Sequence, residues 1–153
     1  MNNPLCILLS CLLLVTLTGF AQQVQHINPP NLAVSKGYTQ VVVSQGGRTA
    51  YISGQVSANS KGEVMYKGDF REQTRQVFEN LKTALAAVGA TFANVVKMTT
   101  YVVETDAKKI GIVREVRNQY FTSPAPPAST YIGVQGLYDK DVMLEIEAIA
   151  VIK

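Results

Sequence analysis

Cysteine and histidine are nearly absent from this sequence, and with them much of the chemistry that those side chains support. The 153 residues include two cysteines, Cys6 and Cys11, and one histidine, His26. Both cysteines lie within residues 1–21, so the remaining chain has no thiol. A cysteine nucleophile, a disulfide framework and a cysteine-ligated metal are therefore excluded for residues 22–153. His26 stands in a proline-rich stretch near the amino terminus, where we expect a surface residue rather than a catalytic or metal-binding one.

Charged residues are also scarce. They make up 16% of the chain, with 14 Lys and Arg against 11 Asp and Glu, and the excess of +3 is not gathered into a patch. A nucleic-acid partner is therefore not indicated. No glycine-rich phosphate loop follows a strand and the sequence has no metal-ligand cluster, so we expect neither a cofactor nor a metal. A hydrophobic content of 47% is sufficient for one globular domain with a full core.

Residues 1–21 have the pattern of a secretory signal peptide. They contain no charged side chain, carry an apolar run over 5–17, and end in Gly19-Phe20-Ala21 before two polar residues. Cleavage after Ala21 would leave residues 22–153 as a single secreted, periplasmic domain without stable membrane association. An uncleaved membrane anchor is the alternative, although the apolar run is short for a spanning helix. A lipoprotein signal at Cys11 has less support because few residues precede it.

The pattern of turns and apolar residues in 22–153 predicts the element order ββαβαββ. Asp69 and Glu72 resemble a capping box, and the apolar residues that follow recur at helical spacing up to Gly89. Asp106 is placed to cap a second helix, which must end before the prolines that begin at Pro124. The β-rich runs cover 39–44, 49–53, 95–103, 129–134 and 142–152, and Gly46-Gly47 predicts a hairpin between the first two.

Both faces of the predicted sheet carry apolar residues. Along the last strand, Leu144 and Ile146 point one way, while Met143, Glu145 and Ile149 point the other. Two helices can cover only one of these faces. We therefore expect a second copy of the chain to cover the other.

Several short runs carry a family resemblance, and together they extend over essentially all of 22–153. They are Ile52-Ser53-Gly54-Gln55-Val56, Gly62-Glu63, Gln73, Asn80-Leu81, Ala87-Val88-Gly89-Ala90, Val95-Val96-Lys97-Met98-Thr99 and, most characteristic, Leu144-Glu145-Ile146-Glu147-Ala148-Ile149-Ala150-Val151. These runs resemble the Rid family, the reactive-intermediate deaminases also called the YjgF type. The resemblance implies a chorismate-mutase-like α+β fold with two helices on one face of a mixed sheet. It also implies a homotrimer with a barrel-like core and a small-molecule cleft between neighbouring subunits.

The resemblance further implies a hydrolase that converts 2-imino acids to 2-oxo acids and ammonia. Carried over by position, Glu145 orients the water or the leaving nitrogen, Tyr38 lines the pocket, and Ser53 and Gly54 lie beneath the ligand. The carboxylate-binding arginine of the family is missing, because its Pro-Ala-Arg-Ser motif aligns with Pro127-Ala128-Ser129-Thr130. A serine cannot form the bidentate, charge-assisted pair that an arginine makes with a carboxylate. This departure is typical of Rid-like subgroups without the arginine and predicts an altered substrate.

Three further residues are candidates with two interpretations each. Arg114, on the second predicted helix, either reaches an anionic ligand in the cleft or is a solvated helix arginine. Tyr131 either narrows the cleft and stacks on a ligand or is an ordinary strand and interface residue. For Glu147, a structural hydrogen bond or ion pair is a better interpretation than catalysis.

Two other function classes compete with an imine hydrolase. Relatives of this type have been called ribonucleases, but the sequence has no histidine pair and no stripe of aromatic and basic residues. The stronger alternative is a non-catalytic trimer that binds a small metabolite in its clefts. The two remaining hypotheses differ in whether bound ligand is turned over.

Overall fold

The structure is a computed structural model, and it describes residues 22–32, 34 and 36–153. The predicted signal peptide, 1–21, lies outside the described residues. The elements are β1 (Gln23–Ile27), β2 (Val41–Gln45), β3 (Arg48–Gln55), α1 (Phe70–Ala87), a single 3₁₀ turn (Phe92–Asn94), β4 (Val95–Val103), α2 (Ala107–Tyr120), β5 (Ala128–Val134) and β6 (Leu144–Ile152). Neither helix in the described part of the chain combines the length and apolar composition that crossing a bilayer requires.

The main sheet has four strands in the order β3-β6-β4-β5. Strand β6 runs antiparallel to both of its neighbours, whereas β4 and β5 are parallel. A parallel pair needs a crossover connection, and α2 supplies it. The predicted α+β fold, with a mixed sheet and two helices, is confirmed.

The predicted hairpin between the first two β-rich runs is wrong. Strand β2 pairs with β1 in a separate two-stranded sheet, and β3 pairs with β6 instead. Gly46 and Gly47 do form a turn with positive φ angles, but the chain before β2 is held at the far side of the main sheet. There the Thr39 amide donates to the carbonyl of Pro127, next to the edge strand β5. The chain therefore bends at the two glycines as the sequence predicts, but β2 and β3 pair with different strands.

Both helices begin where their capping residues predict. The Asp69 carboxylate accepts a hydrogen bond from the amide of Glu72 at 3.1 Å, and the Asp106 carboxylate accepts one from the amide of Lys109 at 2.7 Å. These bonds satisfy amide groups that have no partner within the helix. A bidentate pair between Arg71 and Glu115, at 2.7 and 2.9 Å, joins the two helices across their exposed faces.

The hydrophobic core lies between the helices and one face of the main sheet. From α1 it takes Val77, Phe78, Leu81 and Leu85, and from alternate positions of β6 it takes Leu144, Ile146, Ala148, Ala150 and Ile152. The ring of Tyr120, in α2, stacks on Phe78 at a centroid distance of 5.0 Å. Successive residues of a strand point to opposite faces of the sheet. The other residues of β6, including Glu145 and Glu147, therefore lie on the face away from this core. That face leaves Tyr51 80% exposed in the single chain.

Candidate functional site

The predicted site residues fall into two groups on opposite faces of the main sheet. Cross-strand partners share a face, and Ser129 pairs with Met98, which pairs in turn with the core residue Ala148. Ser129 therefore lies on the helix side. Glu145 pairs with Tyr101 on the other side. Within one chain the cleft expected around all these residues does not form, and the two groups are described separately below.

The first group consists of Ser53, Gly54 and Glu145, which we call the sheet-face group. The register between β3 and β6 shifts between Ile52 and Gln55, so Ser53 and Gly54 lie in an irregularity of β3. Such irregularities change the direction of side chains and are common beside active sites. Here the irregularity places the Gly54 backbone directly against the side chain of Glu145.

Glycine at position 54 permits this close approach. A Cβ atom at position 54 would lie 1.7 Å from the Oε1 atom of Glu145 and 2.5 Å from its Cδ atom. The φ angle of Gly54 is not in the left-handed region, so backbone conformation is not the reason for glycine. Glycine leaves the space that the Glu145 carboxylate occupies. The structure therefore brings together two residues that the sequence assigned to one site.

Polar side chains surround the sheet-face group. A cavity of about 320 Å³ lies beside it, and its lining includes Ser53, Lys97 and Glu147. Burial lowers the pKa of the Lys97 ammonium. The Tyr101 hydroxyl donates to Oε1 of Glu147 at 3.2 Å, and burial and this carboxylate raise the pKa of Tyr101. Glu147 has the structural hydrogen bond that was the preferred interpretation from the sequence.

The second group lines a cavity of about 590 Å³ between α2, β5 and the segment before β2. We call it the α2 cavity. Its lining includes Tyr38, Ser129, Tyr131 and Arg114, four of the predicted substrate-binding residues. The Tyr131 hydroxyl accepts a hydrogen bond from Thr105 at 2.9 Å, and burial raises the pKa of this phenol. Tyr131 thus forms part of the cavity wall with its hydroxyl already engaged.

Arg117 lines the same cavity and was missed as a site residue in the sequence analysis. Its guanidinium is half-buried, and the Nε atom is buried without a hydrogen-bond partner. The terminal Nη2 donates to Oδ1 of Asn118 at 3.2 Å. Burial, and then the like charge of Arg114, lower the pKa of Arg117. The spacing of Arg114 and Arg117 was the available signal, because residues three apart share a helix face.

Metal binding has no support from the described residues. No three histidine, cysteine, aspartate or glutamate side chains cluster among residues 22–32, 34 and 36–153 in a way that could hold an ion. His26 lies in β1 with an exposed side chain, and its Nδ1 atom is 3.2 Å from the Thr39 hydroxyl. The side chains in the two groups carry carboxylate, hydroxyl and guanidinium groups.

Comparison with known proteins decides the family. The sequence profile of the family described as Endoribonuclease L-PSP matches residues 29–152. This chain belongs to that family, which includes the YjgF and Rid proteins. The Rid resemblance found in the sequence is thereby confirmed.

Relatives of known name and structure agree with this assignment. A 2-iminobutanoate/2-iminopropanoate deaminase of Dermatophagoides farinae is 35% identical over 116 residues, which cover 76% of this chain and 86% of the relative. The human protein of the same name is 36% identical over 114 residues, covering 74% of this chain and 79% of its own. The Rid-family protein YyfB from Yersinia pestis has a solved structure that superposes with a TM-score of 0.79 at 36% identity, covering 84% of this chain and 98% of YyfB. The fold and family of this chain are thus those of the Rid proteins.

Proposed function

We propose that this protein is a hydrolase of small reactive imines or enamines, with Glu145 as the residue that positions the attacking water. Two named relatives, each at least 35% identical, are 2-iminobutanoate/2-iminopropanoate deaminases. The observation that carries the proposal is the packing of Gly54 against the Glu145 side chain. Glycine at position 54 leaves the space that this carboxylate occupies, and a catalytic group needs such a defined position.

The reaction needs few protein groups. Water adds to the electrophilic imine carbon, and Glu145 accepts a proton from that water as the carbon–oxygen bond forms. The proton then passes to the nitrogen of the tetrahedral adduct. The hydroxyl of the adduct then gives its proton, through Glu145, to the same nitrogen as the carbon–nitrogen bond breaks, so ammonia leaves and a ketone forms. Hydrolysis thus consumes one water for each imine and requires no oxidant, reductant or cofactor.

The substrate proposed here differs from that of the arginine-containing deaminases. Ser129 stands where those proteins have the carboxylate-binding arginine, so recognition of the substrate must come from other residues. We further propose a homotrimer in which the sheet-face group of one subunit meets the α2 cavity of its neighbour. Exposed Tyr51 on the sheet face supports burial of that face by another copy. Cleavage after Ala21 and export to the periplasm complete the proposal.

Turnover separates this proposal from the alternative, a trimer that binds a small metabolite without converting it. The test uses protein purified after expression of the full-length sequence. Imino acids are generated in situ from several amino acids, and the rate of ammonia release is measured. We expect activity in the parent protein and a loss of about 10²-fold or more in Glu145→Gln.

Glu147→Gln provides the matched control, because it is the neighbouring carboxylate on the same face of β6 and bonds only to Tyr101 among the described residues. It should retain most of the activity.

Ser129→Arg tests the altered substrate. If only Ser129→Arg is active, the scaffold is intact but the natural ligand is not an imino acid. Absence of ammonia release in the parent and in all variants would support the binding protein instead.

A further inference from the structure

A further cavity, of about 390 Å³, lies at the carboxyl end of α2, where the helix meets β1 and the segments 37–39 and 123–126. We call it the helix-end cavity. It shares only Tyr38 and Arg117 with the α2 cavity, and no residue of the main sheet lines it. Among the described residues that do line it, none is acidic, and Arg117 alone carries a permanent positive charge. The helix-end cavity is therefore a polar space with an excess of positive charge.

Arg117 has no counter-charge from the protein. In the part of the chain that the structure describes it forms no salt bridge, whereas both arginines of α1 pair with glutamates. Its Nε atom is buried and has no hydrogen-bond partner. The dipole of α2 offsets some of the charge, but a helix terminus supplies only about half a unit. An unsatisfied buried donor carries a free-energy penalty that a bound acceptor removes.

The contacts of the Arg117 guanidinium belong to the helix-end cavity. The Nη2 atom donates to Oδ1 of Asn118 at 3.2 Å, and a Cβ atom at Gly37 would lie only 2.6 Å from the same nitrogen. Asn118 and Gly37 both line the helix-end cavity, and neither lines the α2 cavity. A guanidinium restricted in this way loses little conformational freedom when an anion binds to it.

A hydrogen-bond relay orients the imidazole on the β1 side of the cavity. The Thr39 hydroxyl donates to the carbonyl of Pro126, so its oxygen can accept from the Nδ1 atom of His26, which is 3.2 Å away. This arrangement assigns a proton to Nδ1 and leaves Nε2 for a ligand. Nε2 accepts a hydrogen bond when the ring is neutral and donates one when the ring is protonated.

A phosphoryl group matches these two side chains better than a carboxylate does. Near neutral pH a phosphate monoester carries one proton or none, so it can donate to a neutral imidazole or accept from a protonated one. A carboxylate has no proton at that pH and has both oxygens in one plane. Phosphoryl oxygens point in several directions, which suits donors that come from α2 and from β1.

The remaining walls indicate that the phosphoryl group belongs to a small organic molecule. Phe121, Pro124 and Pro126 contribute apolar surface to the lining. The volume of about 390 Å³ lies in the range of small-molecule sites and is larger than an inorganic ion needs.

We propose that the helix-end cavity binds a small phosphate monoester, with Arg117 as the cation and His26 as the second polar contact of the phosphoryl group. This site is additional to the proposed hydrolase site. None of Ser53, Gly54 and Glu145 lines the helix-end cavity, so phosphate binding and imine hydrolysis can be tested independently.

Titration calorimetry with inorganic phosphate and phenyl phosphate, at constant ionic strength, tests the proposal. The protein is purified after expression of the full-length sequence. We expect both ligands to bind, phenyl phosphate more tightly because its ring can contact Phe121 and the prolines. Removing a charge-assisted contact weakens binding by about ten- to a hundredfold, and we expect this for Arg117→Gln. Arg114→Gln is the matched control, because Arg114 lines only the α2 cavity, and its affinity should stay within about threefold of the parent.

A pair of surface variants tests the location without changing Arg117. Thr122 and Ala125 are both exposed in the connection between α2 and β5, but only Ala125 lines the helix-end cavity. Ala125→Asp provides a carboxylate that competes with phosphate for Arg117, so affinity for phenyl phosphate should fall by about tenfold or more. Thr122→Asp adds the same charge outside the cavity and should have little effect. Thermal unfolding without ligand shows whether each variant is folded.

Four results would overturn the proposal. The first is equal affinity for phenyl phosphate in the parent and Arg117→Gln. The second is an equal loss in Arg114→Gln, which would place the phosphate in the α2 cavity. The third is an equal loss in both aspartate variants, which would reflect surface charge alone. The fourth is tighter binding of acetate or of inorganic phosphate than of phenyl phosphate, which would exclude a monoester as the ligand.

Discussion

The contact between Gly54 and Glu145 makes a sharp prediction for the substitution Gly54→Ala. A Cβ atom there would lie 1.7 Å from Oε1 of Glu145, 2.5 Å from its Cδ and 2.7 Å from its Cγ. Ordinary contacts begin at 3.4 Å, so the Oε1 atom must move by at least about 1.7 Å or the strand must shift. The end of a glutamate side chain moves more easily than two paired strands. We therefore expect Glu145 to change rotamer.

The expected loss of activity is larger than the expected loss of stability. A displacement of about 1 Å in a catalytic group can reduce turnover by about 10²-fold. Overpacking of this kind reduces the free energy of unfolding by about 1–3 kcal/mol. Imine hydrolysis and urea unfolding of Gly54→Ala measure the two effects on the same sample.

A double-mutant cycle identifies the contact as the cause. In a Glu145→Ala background the carboxylate is gone, so Gly54→Ala should be neutral, or stabilising by up to about 1 kcal/mol through the lower entropy of the unfolded chain. The reasoning is refuted if Gly54→Ala destabilises equally in both backgrounds, because the strain would then lie in the backbone.

Three other predictions concern stability and ionisation. Gln73 is fully buried, and its side-chain amide donates to the carbonyl of Asp141 at 2.7 Å and accepts from the amide of Met143 at 2.9 Å. Gln73→Met should therefore lower the free energy of unfolding by at least about 2 kcal/mol. An unchanged midpoint of urea unfolding would contradict this. The Arg71 hydrogen bond lowers the pKa of Glu115. This pair therefore stabilises the fold at pH values above the ordinary pKa of glutamate, and the contribution disappears as pH falls through the lowered pKa. Carboxyl NMR should show the titration midpoint of Glu115 rising in Arg71→Gln, and an unmoved midpoint would refute the pairing. Burial and the hydrogen bond to Glu79 raise the pKa of Tyr120 from 10.0 to about 12, so its stabilising contribution is complete below pH 10 and is lost as pH rises to 12. Unfolding free energies measured across that range should fall less steeply in Tyr120→Phe, and parallel slopes would argue against the shift.

Local signals in the sequence were sufficient for most elements. The acidic caps at Asp69 and Asp106 predicted both helix starts, because a capping carboxylate acts on amides only two or three residues away. Alternation in β6 likewise predicted which side chains reach the core. The helix starts and the faces of β6, which depend on neighbours in the chain, were therefore predicted correctly, whereas β1 was not predicted.

Predictions that depend on distant contacts were less successful. Strand β2 had the pattern of half a hairpin, but it pairs with β1, and the chain before it bonds to Pro127, which is distant in sequence. The contact between Gly54 and Glu145 was anticipated only through the family resemblance. The spacing of Arg114 and Arg117 indicates a shared helix face, but the burial of Arg117 depends on Gly37 and on β5, which are distant in the sequence. The division of the site between two faces follows from the sheet order, which periodicity does not encode.

The most direct test of the proposed hydrolase is the rate of ammonia release from imino acids generated in situ from several amino acids, with and without the purified protein. We expect the protein to accelerate this step well above the uncatalysed rate and Glu145→Gln to return it close to that rate. A parent protein that leaves the uncatalysed rate unchanged, while correctly folded, would contradict the account.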